Sequence, residues 1–125
     1  MTAWSPEELE RFVAADEIEL ASRRSDGALS RFVTIWIARA GDELYVRSAY
    51  GPENPWFRRA RRSGAGRLRA AGLERDLRFA EADAADREAI DAAYHAKYDH
   101  YPKSYVDPVV GPALVDATLR LVPAE

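Results

Sequence analysis

The sequence predicts one α+β domain, mainly β, in which six antiparallel strands close into a barrel and about three short helices sit at its ends or over its openings. Three observations predict it. Six stretches alternate apolar and polar residues with the period of a strand. Most joins between them are short and carry Gly, Asp or Ser turn signals, as antiparallel hairpins do. Helical patterning interrupts the strand series only twice after an opening helix, and 125 residues suit a single domain, 1–125.

The opening helix begins at Trp4-Ser5-Pro6-Glu7-Glu8. Ser5 is the N-cap, Pro6 takes the first helical position and Glu8 completes a capping box. Leu9, Phe12 and Val13 form its apolar face. Glu17 to Arg23 is the first strand, with Ile18 and Leu20 on one side, and Ser25-Asp26-Gly27 turns the chain. Arg31 to Arg39, RFVTIWIAR, is the clearest strand. Val33, Ile35 and Ile37 make one face and Phe32, Thr34, Trp36 and Ala38 the other, so it is expected at the centre of the sheet.

Gly41 to Gly66, GDELYVRSAYGPENPWFRRARRSGAG, is the organising stretch. It reads as a strand over Glu43 to Ala49, a Gly/Pro loop, a short arginine-rich helix and a turn. Tyr50-Gly51-Pro52 stops the strand. Asn54 is expected to cap the helix with Pro55 at its first position. Arg67 to Ala71 and Leu73 to Ala80 are a basic hairpin around Gly72. Asp83 caps a helix over 84–98 carrying Ile90, Tyr94 and Tyr98. Asp99 to Pro112 is a proline-punctuated loop, and Ala117 to Val122 is the last strand.

Composition excludes several classes. There is no cysteine, so no disulfide, thiol nucleophile or cysteine metal site. His95 and His100 are five apart and do not share a helix face as a zinc pair would, so no metal site is expected. No apolar run reaches the roughly 20 residues of a membrane span. The N-terminal residues MTAWSPEELERF lack a signal-peptide pattern, so a cytoplasmic protein is expected. Net charge is −3, but residues 21–78 hold thirteen arginines against six acids. That middle region suits an anionic small molecule, whereas nucleic acid would want a larger basic excess and a docking motif.

Arg31, Arg47, Ser48 and Arg58 are candidate phosphate ligands, because an arginine fork and a hydroxyl both suit phosphate oxygens. Tyr50 and Gly51 in the loop, and Trp56 at the helix start, surround them in sequence. Each also has a plain structural alternative, a surface charge or a core aromatic. Alternation sends Arg47 and Ser48 to opposite faces of their strand. An Arg47 that grips phosphate would give a binding defect without a stability defect when removed, and this is the expected outcome. A structural Arg47 would pair with Asp42, Glu43 or the acidic helix around Asp83 to Asp91. Tyr94, His95, Tyr98, His100, Tyr101 and Tyr105 form an aromatic and imidazole cluster that could wall a substrate.

The run S-R-R-x-D-G, V-T-I-W, G-D-E-L-Y-V-R-S-A-Y-G and N-P-W-F-R-R-A is similar to the FMN-binding split β-barrel superfamily, in particular its deazaflavin-dependent nitroreductase and quinone-reductase branch. Gly41-Asp42, Tyr45-Val46, Ser48, Gly51, Pro55 and Trp56 fall at matching places. Arg47, Ile35 and Arg58-Arg59-Ala60 depart from that pattern. The chain most resembles a bacterial family of uncharacterised proteins sharing P-W-F/Y-R-R and A-A-Y-H-A-K-Y. The resemblance implies a split barrel, a homodimer, and FMN or a deazaflavin performing hydride or electron transfer to a small organic acceptor. It places Thr34 and Trp36 beside the cofactor ring. The alternative is a non-catalytic barrel that binds another anion or a protein partner.

Overall fold

The structure is a computed structural model that describes residues 3–124. Helix α1 (Pro6–Ala14) opens with the expected capping box: Glu8 N–H donates to Ser5 Oγ at 3.1 Å, and Ser5 N–H donates to Glu8 Oε1 at 2.9 Å. Strands β1 (Ile18–Ser22), β2 (Val33–Ile35), β3 (Ala38–Ala40) and β4 (Glu43–Arg47) follow. Next come α2 (Pro55–Ser63), β5 (Ala65–Ala70), β6 (Leu73–Glu81) and α3 (Arg87–Tyr98), the last entered through a 3-10 turn at Ala84–Asp86. Asp83 caps that turn, accepting from Ala85 N–H at 2.9 Å. The expected loop contains α4 (Lys103–Val106) and two further 3-10 segments, Asp107–Val109 and Pro112–Ala117, before β7 (Thr118–Pro123).

Seven strands replace the six expected, and α4 joins the three expected helices. The extra strand arises in one place. The stretch expected as a single central strand is broken into β2 and β3, which occupy the two opposite edges of the sheet. The strand order is β2-β1-β5-β6-β7-β4-β3, and all its pairings are antiparallel.

That order dictates a curl. Seven strands laid flat would span about 29 Å at the usual strand spacing. Only Trp36 and Ile37 join the two edges, and three Cα steps reach roughly 10 Å. The sheet must therefore roll into a barrel that is closed by the chain itself. The break also has a local cause. Ile37 N–H donates to Tyr98 Oη at 3.1 Å, and its carbonyl accepts from Lys97 Nζ at 3.0 Å. Side chains of α3 thus satisfy the backbone groups that a sheet neighbour would otherwise take.

Two cores result. The barrel interior holds Ile18, Leu20, Ile37, Leu44, Val46, Leu68, Leu77, Leu119 and Leu121, joined by Leu9 and Phe12 of α1 and Phe57 and Ala60 of α2. The second core lies outside, where Ile90, Tyr94 and Tyr98 of α3 cover Ala38 and Tyr45. Strand β4 therefore has both faces covered. Gly66 lies within β5, which starts at Ala65, two residues before the Arg67 start read from the sequence. A Cβ there would sit 2.1 Å from the Ala21 carbonyl oxygen, so β1 can approach β5 only over a glycine.

Candidate functional site

A trough runs along the barrel beside β2 and α2. At one end is an aromatic cavity of about 380 Å³, lined by Val33, Thr34, Ile35, Trp36, Arg47, Ala49, Asn54, Trp56, Tyr105 and Val109. At the other is an arginine basin of about 870 Å³, lined by Arg23, Arg24, Ser25, Ser30, Arg31, Arg59, Arg62, Ser63 and Ala65. A small cavity of about 10 Å³, the neck, lies between them. Its walls include Ser30, Arg31 and Arg59, shared with the basin, and Val33 and Trp56, shared with the aromatic cavity.

Helix periodicity explains what α2 contributes. Phe57 and Ala60 are buried inward. Trp56, Arg59 and Ser63, at helical i, i+3, i+7 spacing, line the trough, and Arg62 joins them at the basin end. Arg58 points out to solvent and lines neither cavity. Pro55 starts the helix as expected, but the Asn54 side chain makes no capping hydrogen bond and faces the aromatic cavity instead.

Among the residues singled out from sequence, Thr34, Trp36 and Trp56 line the aromatic cavity, and Arg31 lies in the basin and neck. Arg47 is placed differently from a phosphate ligand. Its side chain is 0% exposed, so only its backbone reaches the cavity wall. Its Nε donates to Thr118 Oγ1 at 3.0 Å and its Nη1 to Asp91 Oδ1 at 2.5 Å and the Val109 carbonyl at 2.8 Å. Nη2 has no hydrogen-bond partner among the described residues, but the guanidinium carbon lies 5.3 Å from the centre of the Tyr94 ring, a cation–π distance. Asp91 also accepts from Arg87 and from Gly111 N–H. Arg47 is therefore a strut between β4 and α3.

Ser48 is likewise buried. Its Oγ donates to the Gly51 carbonyl at 2.6 Å and holds the tight turn after β4. In that turn Tyr50 adopts φ +68° and is 88% exposed, a left-handed backbone that a tyrosine adopts only at a cost. Tyr50 and Gly51 flank Ala49 of the cavity wall without lining it. Of the aromatic cluster, Tyr105 alone reaches the cavity. His95 instead pairs with Asp99 through Nδ1 at 2.8 Å on the outer face of α3.

Sequence reading did not single out Arg23 and Arg24, and it named Arg59 and Arg62 only among the arginines of the basic helix that converge on the organising stretch. The helical spacing from Trp56 pointed to Arg59, whereas Arg23 and Arg24 join the site only because the turn after β1 packs beside α2. No carboxylate among the described residues lines the basin. Arg24, Arg31, Arg59 and Arg62 make no ion pair among the described residues, and Arg23 reaches Asp76 at 3.4 Å. No group of three or more metal-binding side chains occurs among the described residues, and none of their helices is long and apolar enough to cross a membrane.

The chain belongs to a bacterial family described as uncharacterized protein conserved in bacteria (DUF2255), whose profile matches residues 8–121. No curated protein matches the sequence. Among solved structures, a Listeria innocua protein provisionally assigned as a pyridoxamine 5'-phosphate oxidase superposes with a TM-score of 0.67 at 18% identity, covering 95% of this chain and 92% of that one. An F420 reductase gives 0.55 at 18% identity over 94% and 90%. A FAD-binding protein from Mesorhizobium loti gives 0.55 at 17% over 98% and 90%. These likenesses show a shared fold, a split β-barrel built on one curled antiparallel sheet.

Proposed function

We propose that the trough holds a flavin-type cofactor, FMN or a deazaflavin, and that the protein is an oxidoreductase acting on a small organic acceptor. The carrying observation is that an aromatic cavity and an arginine basin lie side by side along the barrel and both share wall residues with one small cavity between them. A planar heterocycle with a phosphorylated side chain needs that pairing of surfaces. The donor set fits: Trp36 and Trp56 offer flat apolar walls, and Arg31, Arg59 and Ser30 stand at the neck where a phosphate would enter the basin. Strand β2 is a sheet edge, so one side of its backbone is free to meet the polar rim of a ring, next to the exposed Thr34 hydroxyl. When bound, such a cofactor supplies hydride or electron transfer, while the chain positions it and excludes water. Arg47 and Ser48 hold the cavity wall and the adjoining turn from behind.

Titration with FMN and with a deazaflavin, followed by tryptophan quenching, tests this directly. Trp36 and Trp56 both border the cavity, so saturable quenching by at least one ligand is expected at a Kd below about 100 μM, roughly −5.5 kcal/mol. No saturation by either would overturn the proposal.

A homodimer belongs to the same proposal. Tyr50 is 88% and Tyr105 61% exposed, and Tyr105 lines the cavity, so a second copy seated on this face would cover both rings. Sedimentation is expected to give about twice the 14.0 kDa chain mass at micromolar concentration. A mass of one chain would reject it.

A further inference from the structure

We propose that Trp36, Tyr101 and Asp16 form a one-electron relay that carries a hole from the aromatic cavity to the surface of the barrel, where a soluble reductant fills it. The relay rests on the proposed function in one respect: redox chemistry in that cavity is its source of oxidant.

Ring contacts carry this. Trp36 lines the aromatic cavity, and of the three tryptophans it alone packs against tyrosine rings among the described residues. Its indole lies 3.9 Å from the Tyr98 ring and 5.3 Å from the Tyr101 ring, centroid to centroid. At such separations the π systems are in contact. Trp56, the other indole of the cavity, packs on Phe57, and Trp4 packs on Phe12. A phenylalanine ring is too hard to oxidise to pass a hole on.

Hydroxyl partners decide where the hole stops, because a phenol is easily oxidised only when its proton can leave with the electron. Tyr101 Oη donates to Asp16 Oδ2 at 2.8 Å. None of the other five tyrosines bonds a carboxylate among the described residues. Tyr98 Oη donates instead to the Asp16 and Ile37 carbonyls, amide oxygens that are too weakly basic to take a proton. Lys97 Nζ also lies 4.9 Å from the centre of the Tyr98 ring, and a cation over that face opposes a second positive charge there. The hole therefore passes Tyr98 by and settles on Tyr101. Tyr101 is half-buried and Asp16 exposed, so this end of the relay meets water.

The steps balance. An organic radical in the cavity takes one electron from Trp36 and leaves an indole radical cation. One electron then moves from Tyr101 to Trp36 while the phenolic proton moves to Asp16 Oδ2. The indole is restored and a neutral tyrosyl radical remains. Ascorbate returns one electron to Tyr101 and Asp16 returns the proton. The net transfer is one electron from ascorbate to the organic radical.

The test uses the whole protein without added ligand. Azide radicals made by pulse radiolysis oxidise tryptophan, and transient absorption follows the indole and tyrosyl radicals. The indole radical is expected to decay as the tyrosyl radical rises, at a rate independent of protein concentration. Trp36→Phe should abolish this phase. Tyr101→Phe keeps the ring and loses one exposed hydrogen bond, and it should slow the decay about tenfold or more. Asp16→Asn keeps an acceptor oxygen but no base, and it should slow the decay as well. Tyr98→Phe should leave the transfer intact. A wild-type rate in Tyr101→Phe or in Asp16→Asn would overturn the relay, as would loss of transfer in Tyr98→Phe alone. Saturable flavin binding without this transfer would overturn the relay and leave the proposed function standing. Transfer without flavin binding would overturn the proposed function and leave the relay as a property of the chain.

Discussion

The Trp36 indole lies flat on the Tyr98 ring, with centroids 3.9 Å apart and planes 2° from parallel. This stack stands at the point where the chain leaves one edge of the sheet for the other. Tyr98 also accepts the Ile37 N–H at 3.1 Å and donates to the Asp16 carbonyl at 2.7 Å. One side chain of α3 thereby supports a wall of the aromatic cavity and fastens the closure of the barrel.

Tyr98→Phe keeps the stack and removes the hydroxyl. The buried Ile37 N–H then loses its acceptor, which costs about 1–3 kcal/mol. Urea denaturation is expected to show that loss, with Trp36 fluorescence little changed in the folded state. A loss well under 1 kcal/mol would mean that the hydroxyl does not pin the closure.

Arg47→Ala is expected to destabilise the ligand-free protein by about 3–5 kcal/mol, as breaking a buried ion pair does. It leaves Asp91 with Arg87 and the Gly111 N–H alone, and it empties the space beside Tyr94. This reverses the outcome expected from sequence, a binding defect without a stability defect. Arg47→Lys recovers only part of the loss, because an ammonium cannot reach Thr118, Asp91 and Val109 from one planar fork. A variant that melts like the wild type would refute the strut.

Lys97 is expected to leave a signature in the pH dependence of stability. Burial lowers its pKa from 10.5 to about 8, with Asp16 opposing the shift. Between those values the unfolded chain binds more protons than the folded one, so stability rises with pH from about 8 toward 10.5. Tyr94 and Tyr98 act in the opposite direction: burial raises both, so their contribution is lost as pH climbs above 10.0. Lys97→Met should remove the rise between about pH 8 and 10 and keep the fall above it. Chemical denaturation across that range measures it, and an unchanged rise in the variant would assign it to another group.

Tyr50→Gly separates backbone strain from surface use. Glycine accepts φ +68° freely, so the free energy of unfolding in dilute solution should hold or rise by up to about 1 kcal/mol. In concentrated solution the proposed dimer, having lost an exposed ring, should sediment closer to one chain. A dimer as strong as the wild type's would free Tyr50 of that role.

Much of the fold was legible because its determinants are local. Ser5, Pro6 and Glu8 announce the first helix through their own hydrogen bonds, and alternation in Glu43–Arg47 marks a strand wherever it sits in the sheet. The α2 face of Trp56 and Arg59 also follows from helical spacing. The sequence alone further determined that the middle of the chain is rich in arginine and that cysteine chemistry is absent.

Tertiary structure decided the rest. The break at Trp36-Ile37 exists because Tyr98 and Lys97, some sixty residues away, claim the backbone groups of Ile37. No property of RFVTIWIAR foretells that. Arg47 and Arg24 are the same residue type, and sequence favoured Arg47 as the anion ligand. Packing of α3 buried Arg47 against Asp91, while the turn after β1 carried Arg24 into a cavity lined by no carboxylate among the described residues. Whether an arginine is a strut or a free donor depends on which acids reach it, and only the folded chain sets that distance.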